Sequence, residues 1–143
     1  MKINVKLDTG AYCPQKSYKH DAGYDLFVPL GQNIVLRPHD SVTIPTGVHV
    51  AIPHGYYMSV ENRSGLNFKE SVTLHGCGII DSGYTGSIGV KLYNDSGEIK
   101  TFKGGDRIAQ LIIHPYTEDV EFVLGDELDE TDRGENGFGS TGR

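Results

Sequence analysis

A chain of 143 residues is long enough to bury a core in one domain and short for two. With 37% hydrophobic and 22% charged residues it has the balance of a folded chain rather than a disordered one. Its 19 acidic and 13 basic residues leave a formal charge of −6, which argues against duplex DNA or RNA as a partner, since that partner calls for a basic face.

Short β-branched and aromatic runs between glycines and prolines predict strands over Lys2–Leu7, Tyr24–Val28, Asn33–Leu36, Ser41–Ile44, Gly47–Ile52 and Tyr56–Glu61. A short helix is predicted around Ser64–Lys69. More strands follow over Val72–Leu74, Ser87–Tyr93, Glu98–Phe102, Arg107–His114 and Val120–Val123. Val48, Val50 and Ile52 share one face, as do Ile88, Val90 and Leu92. No longer apolar period of 3.6 exists, so the expected class is all-β: a sandwich, jelly roll or barrel with at most one short helix. The barrel is expected over 1–125. Residues 126–143 begin as an acidic run and end rich in glycine, so they form an arm ordered only by what it binds.

Candidate chemistry lies along the same path. In Asp21-Ala-Gly-Tyr-Asp-Leu26, Asp25 can reach a metal's water shell or merely end a turn. In Glu61-Asn-Arg-Ser-Gly-Leu66, Arg63 and Ser64 stand where a strand gives way to a helix. They suit an anion, or else Ser64 is a plain helix N-cap. In Gly76-Cys-Gly-Ile-Ile-Asp-Ser-Gly-Tyr-Thr-Gly86, Asp81 ends an apolar pair and either aims at a bound water or makes local turn bonds. Alternation over Gly105–Ile113 places Gln110 beside Ile108 and Ile112, where its amide needs a phosphate oxygen or a backbone group as partner. In the tail, Arg133 offers a phosphate fork, Phe138 a ring for stacking on a nucleobase, and Ser140 and Thr141 hydroxyl donors. The pattern suits a closing nucleotide lid, and it is not a Walker loop.

Cys13 and Cys77 form no C-x-x-C pair, and nothing reads as a leader or membrane span. Reduced thiols and a cytoplasmic location are therefore expected. The six histidines form no compact ligand set, so no structural metal is expected.

In order, Ala22-Gly-Tyr-Asp-Leu26, Arg63-Ser-Gly-Leu66, Gly78-Ile-Ile-Asp-Ser-Gly-Tyr-Thr-Gly86, Gly104-Gly-Asp-Arg-Ile-Ala-Gln-Leu111 and Arg133-Gly-Glu-Asn-Gly-Phe-Gly-Ser-Thr-Gly142 closely resemble the five motifs of trimeric dUTP diphosphatases (dUTPases). The resemblance spans nearly the whole chain. It implies a distorted jelly-roll β-barrel, a homotrimer with shared active sites, and hydrolysis of dUTP to dUMP and pyrophosphate with Mg²⁺ on the triphosphate. No nucleic acid or membrane partner is implied. By the same resemblance Asp81 is the general base, and Tyr84 packs on the deoxyribose. The hairpin His75, Gly76, Gly78, Ile79 and Ile80, with Gly89, holds uracil through backbone groups. Arg63, Ser64, Gly65 and Gln110 contact phosphate, and Asp25 meets Mg²⁺ through water. Arg133, Phe138, Gly139, Ser140 and Thr141 close over the substrate. Mg²⁺ and the two arginines would also overcome the acidic net charge, which is screened beyond about 8–10 Å.

The chain departs from the family pattern at Asn62, where proline is usual and whose absence should loosen the turn. It departs also at Gly83 and Thr85, and His75 occupies a variable position. A dCTP deaminase shares this fold, but would need a further carboxylate where Ser82, Gly83 and Thr85 stand. A non-catalytic nucleotide-binding regulator is the rival from another class; the intact Asp81, Gln110 and Phe138 speak against it.

Overall fold

The alternating segments become eleven short strands and one helix in a computed structural model that describes residues 1–76 and 78–137. In chain order these are β1 (Asn4–Leu7), β2 (Tyr24–Phe27), β3 (Asn33–Leu36), β4 (Ser41–Pro45), β5 (Val48–Ala51), β6 (Tyr56–Glu61), α1 (Ser64–Glu70), β7 (Val72–Leu74), β8 (Gly78–Ile80), β9 (Gly89–Asn94), β10 (Lys100–Lys103) and β11 (Arg107–Pro115). They pair antiparallel in four small sheets: β1 with β5, β10 with β3, β4-β9-β7, and β2-β11-β6-β8.

The sheets enclose one apolar core that includes Leu26, Val28, Leu36, Ile44, Val48, Val72, Ile88, Val90, Leu92, Ile108 and Leu111. The in-out alternation that predicted β5 and β9 is the physical reason they lie where they do, because each places its branched residues on the core side. The buried Asn94 at the end of β9 is fully bonded. Its amide donates to the carbonyls of Leu36 (3.1 Å) and Glu98 (2.7 Å), and its oxygen accepts from Ser96 N (3.0 Å) and Oγ (2.6 Å). A polar core residue so satisfied fixes the turn into β10 instead of weakening the core.

Four expectations change. Val120–Val123 is no strand: Val120, Phe122 and Val123 are exposed, because an isolated extended segment with no strand edge beside it gains no ladder bonds. Gly78–Ile80, read as a run into a turn, is a strand paired with β6. Ser64 is not the helix cap. Arg63 holds that position and no side chain caps the helix. Finally, Ile108 does not share a face with Gln110. A bulge between Arg107 and Ala109 breaks the register against β2, so Ile108 turns into the core while Gln110 and Ile112 face outward.

Polar residues gather on the outer face of the four-stranded sheet. Asp25 on β2 lies opposite Gln110 on β11, which lies opposite Glu61 on β6, so one row across the sheet carries all three toward the loop that opens α1.

Candidate functional site

A cleft of about 310 Å³ opens on that face, lined by Asp21, Asp25, Arg63, Ser64, Gly65 and Gln110, among others. Asp25 is its buried anchor. Arg63 Nε donates to Asp25 Oδ1 at 3.0 Å, while Arg107 Nη1 at 3.3 Å and Ser17 Oγ at 3.3 Å both reach Oδ2. Arg107 Nη1 also donates to Ser17 Oγ at 2.9 Å, and Arg63 Nη1 to the Arg107 carbonyl at 3.2 Å. One carboxylate thus orients two guanidinium groups and holds the Arg63 fork in place beside the loop that opens α1.

Gln110 donates through Nε2 to the Asn62 carbonyl at 2.8 Å, so its amide finds the backbone alternative of the two partners expected for it. Asn62 does more. Its Oδ1 accepts from Leu74 N at 2.7 Å and from Thr73 Oγ1 at 3.1 Å, tying the end of β6 to β7. Side-chain bonds thus tie this turn where the family pattern would place a proline ring. Replacing Asn62 by alanine strips the acceptor from Leu74 N–H. It is expected to lower stability by about 1 kcal/mol in urea unfolding.

The second group of predicted residues gathers on the far side of β6. His75, Gly76, Gly78, Gly89 and Lys91 line a small cavity of about 150 Å³ floored by Val60 and Leu74. His75 N donates to the Lys91 carbonyl at 2.8 Å, and the His75 ring sits edge-on to Tyr93 at 5.5 Å. The two glycines are required for different reasons. Gly76 has φ of +106°, a region L side chains avoid, whereas a Cβ on Gly78 would come within 3.0 Å of Val60 Cβ. Ile79 is exposed, while Ile80 is in the core and can offer a ligand only its backbone.

The stretch expected as a hairpin is not one: β7 runs beside β9 and β8 beside β6, so it crosses from one sheet to another. Asp81 and Tyr84 stand beyond β8 on an exposed turn in which Tyr84 N donates to the Asp81 carbonyl at 3.2 Å and Tyr84 Oη to the Ser87 carbonyl at 3.1 Å. The turn is fastened from behind. Thr46 N and Oγ1 both bond the Ile88 carbonyl, Ser87 Oγ accepts from Gly47 N, and His49 Nδ1 lies 2.8 Å from the Thr85 carbonyl. The Thr85 carbonyl, and then the Asp8 carboxylate, hold the His49 pKa above its usual value. Arg133 donates to the Asn136 carbonyl at 3.0 Å in a local turn of the arm. Phe138, Gly139, Ser140 and Thr141 lie outside the described residues.

Within one chain, then, Asp25, Arg63, Ser64, Gly65 and Gln110 share a cleft, and His75, Gly76, Gly78 and Gly89 share a smaller cavity on another part of the surface. The sequence reading missed Arg107 and Ser17, which complete the bonding of Asp25. Arg107 stood inside a quoted motif, but its partners are distant in the chain and nothing local announces them.

Known proteins resemble the chain over nearly its whole length. The dUTPase family matches residues 10–142. A deoxyuridine 5'-triphosphate nucleotidohydrolase of Finegoldia magna is 41% identical over 143 residues, covering 99% of both chains. One from Arabidopsis thaliana is 44% identical, covering 96% of this chain and 80% of its own. Among solved structures, the dUTPase of Staphylococcus bacteriophage 80alpha with dUPNHPP superposes with a TM-score of 0.86 at 32% identity, covering 99% of each chain. A match to the family across almost every residue, with relatives above 40% identity over nearly the whole chain, leaves one conclusion: this chain belongs to the dUTPase family.

Proposed function

We propose that the protein hydrolyses dUTP to dUMP and pyrophosphate, with Asp81 directing a water at the α-phosphorus. The observation that carries this reading is the position of β8. It is the terminal strand of its sheet, pairing with β6 alone among the described residues, and so offers an unpaired row of N–H and C=O groups between Gly78 and Ile80. Uracil presents an N–H flanked by two carbonyls, a pattern that such a strand edge can complement. The Arg63 and Gln110 cleft supplies the cation and amide that a phosphate chain requires.

Mg²⁺ fits this site in a particular way. No group of three or more His, Cys, Asp or Glu is placed to hold a metal among the described residues, so the protein offers no cage. Asp25 lines the polar cleft with an oxygen-donor carboxylate, which suits a cation brought in on phosphates and met through its waters. When bound, Mg²⁺ would offset triphosphate charge; Asp25 would accept from its waters with the lone pairs left free by Arg63, Arg107 and Ser17, while Arg63 and Gln110 would donate to phosphate oxygens.

The separation of the two cavities favours a homotrimer whose sites combine the cleft of one subunit with the β8 edge of another. Exposure of Ile79, Phe122, Val123, Leu124 and Leu128 supports the same reading, because apolar residues at such positions gain from a partner. Sedimentation is expected to return three chains.

Incubation with dUTP and each of the four standard deoxynucleoside triphosphates, with and without Mg²⁺, tests the activity. Release of dUMP and pyrophosphate from dUTP is expected. Formation of dUTP and ammonia from dCTP would instead establish the deaminase.

A further inference from the structure

We propose that His49 is a positioning residue for the Asp81–Ser87 turn, clamping it in place as an imidazolium bridged between the Thr85 carbonyl and the Asp8 carboxylate. His49 sits on β5 with its ring only 20% exposed. Nδ1 lies 2.8 Å from Thr85 O and Nε2 lies 3.2 Å from Asp8 Oδ2. Both partners are acceptors, so both ring nitrogens must donate, and only the protonated ring has two N–H groups. A neutral imidazole keeps at most one of these bonds and sets a lone pair against the other oxygen.

The surroundings favour the charged form. The Thr85 carbonyl and the Asp8 carboxylate raise the ring's pKa, opposed by partial burial and by Lys6, its cross-strand neighbour on β1. Asp81 and Tyr84, the titratable groups of the turn itself, make no hydrogen bond to the ring. Asp8 is a firm base for the clamp, since its backbone N donates to the Gly47 carbonyl at 2.9 Å and its carbonyl accepts from Ala11 N at 3.0 Å.

What the clamp holds is the piece of chain that carries Asp81 and Tyr84. Thr85 directly follows Tyr84. The Tyr84 ring is folded back over Gly86, where a Cβ would meet its Cζ at 2.5 Å, and its hydroxyl donates to Ser87 O. Fixing the Thr85 carbonyl therefore fixes the backbone from which Tyr84 springs and the turn that Tyr84 N closes onto Asp81. The ring's bonds go to Thr85 and Asp8, so it acts through the turn.

Because the folded pKa is raised, the clamp is complete below the ordinary imidazole value of about 6.5 and is lost as pH rises through the higher folded value. The proposal rests on dUTP being the substrate, and two measurements keep the two claims separate. Ring ¹⁵N–¹H spectra of the substrate-free protein are expected to show both His49 nitrogens protonated at about pH 6.5, the ordinary imidazole midpoint. The midpoint should lie above that value and fall in Asp8→Asn. A singly protonated ring there, or a midpoint unmoved by Asp8→Asn, would overturn the clamp whatever the enzyme does. In kinetics, kcat/KM for dUTP is expected to step down by roughly two- to fivefold as pH rises through that midpoint, the worth of one partly exposed charged bond. Asp8→Asn moves the step to lower pH, and His49→Gln, whose amide does not titrate, abolishes it. A His49→Gln profile superposing on that of the wild type would reject the positioning role. If wild-type protein leaves dUTP intact, the assigned activity fails while the spectra still decide the clamp.

Discussion

Asp81→Asn protein is expected to bind dUTP as the wild type does and to turn it over roughly 10²- to 10⁴-fold more slowly, the usual contribution of a general base. The exchange preserves shape and removes the proton acceptor. Asp81 is exposed and its carbonyl, not its side chain, closes the turn onto Tyr84 N, so the fold has little stake in the carboxylate. Thermal unfolding should therefore be nearly unchanged. Single-turnover assays with saturating dUTP separate binding from chemistry, and a variant that hydrolyses at close to the wild-type rate would remove Asp81 from the role of base.

Deleting Arg133–Arg143 is the second large effect. The described part of the arm is exposed and bonded to itself: Gly134 N to the Thr131 carbonyl at 3.0 Å, and Arg133 to Asn136. Its loss should leave unfolding temperature and assembly as they were. Turnover should fall on the order of 10²-fold, because a closing segment that excludes water and holds the phosphates in line contributes through orientation. Full activity in the truncated protein would show that the arm does not close the site.

The fold was legible in the sequence wherever a strand has one buried face. Val48 and Val50 on β5 and Val90 and Leu92 on β9 alternate cleanly, and both strands lie within a few residues of expectation. Legibility fails where pairing decides. The Val120–Val123 segment carries a strand-like composition but finds no edge in its own chain. The short β8 has little pattern of its own and exists because β6 runs beside it. The bulge at Ile108 obeys the register against β2, which a period of two cannot reveal.

The candidate site was legible as an ordered set of motifs, because phosphate, base and water each need particular groups and backbone freedom. What holds those groups was hidden. Asp25 is fastened by Arg107, 82 residues away, and Ser17 meets Arg107 across 90 residues, separations at which local patterns carry no information. Asn62 read as the absence of a proline. Its structural role depends on Leu74 and Gln110 arriving from other strands.

Asn62 has a mechanical consequence. Its carbonyl is committed to Gln110 on one side and its side-chain oxygen to Leu74, the last residue of β7, on the other. The polar cleft and the smaller cavity are riveted to a single link of the chain, so neither can slide without dragging the other. In the proposed trimer, where the cleft of one subunit meets the β8 edge of another, a displacement at one site would therefore be felt at its neighbour.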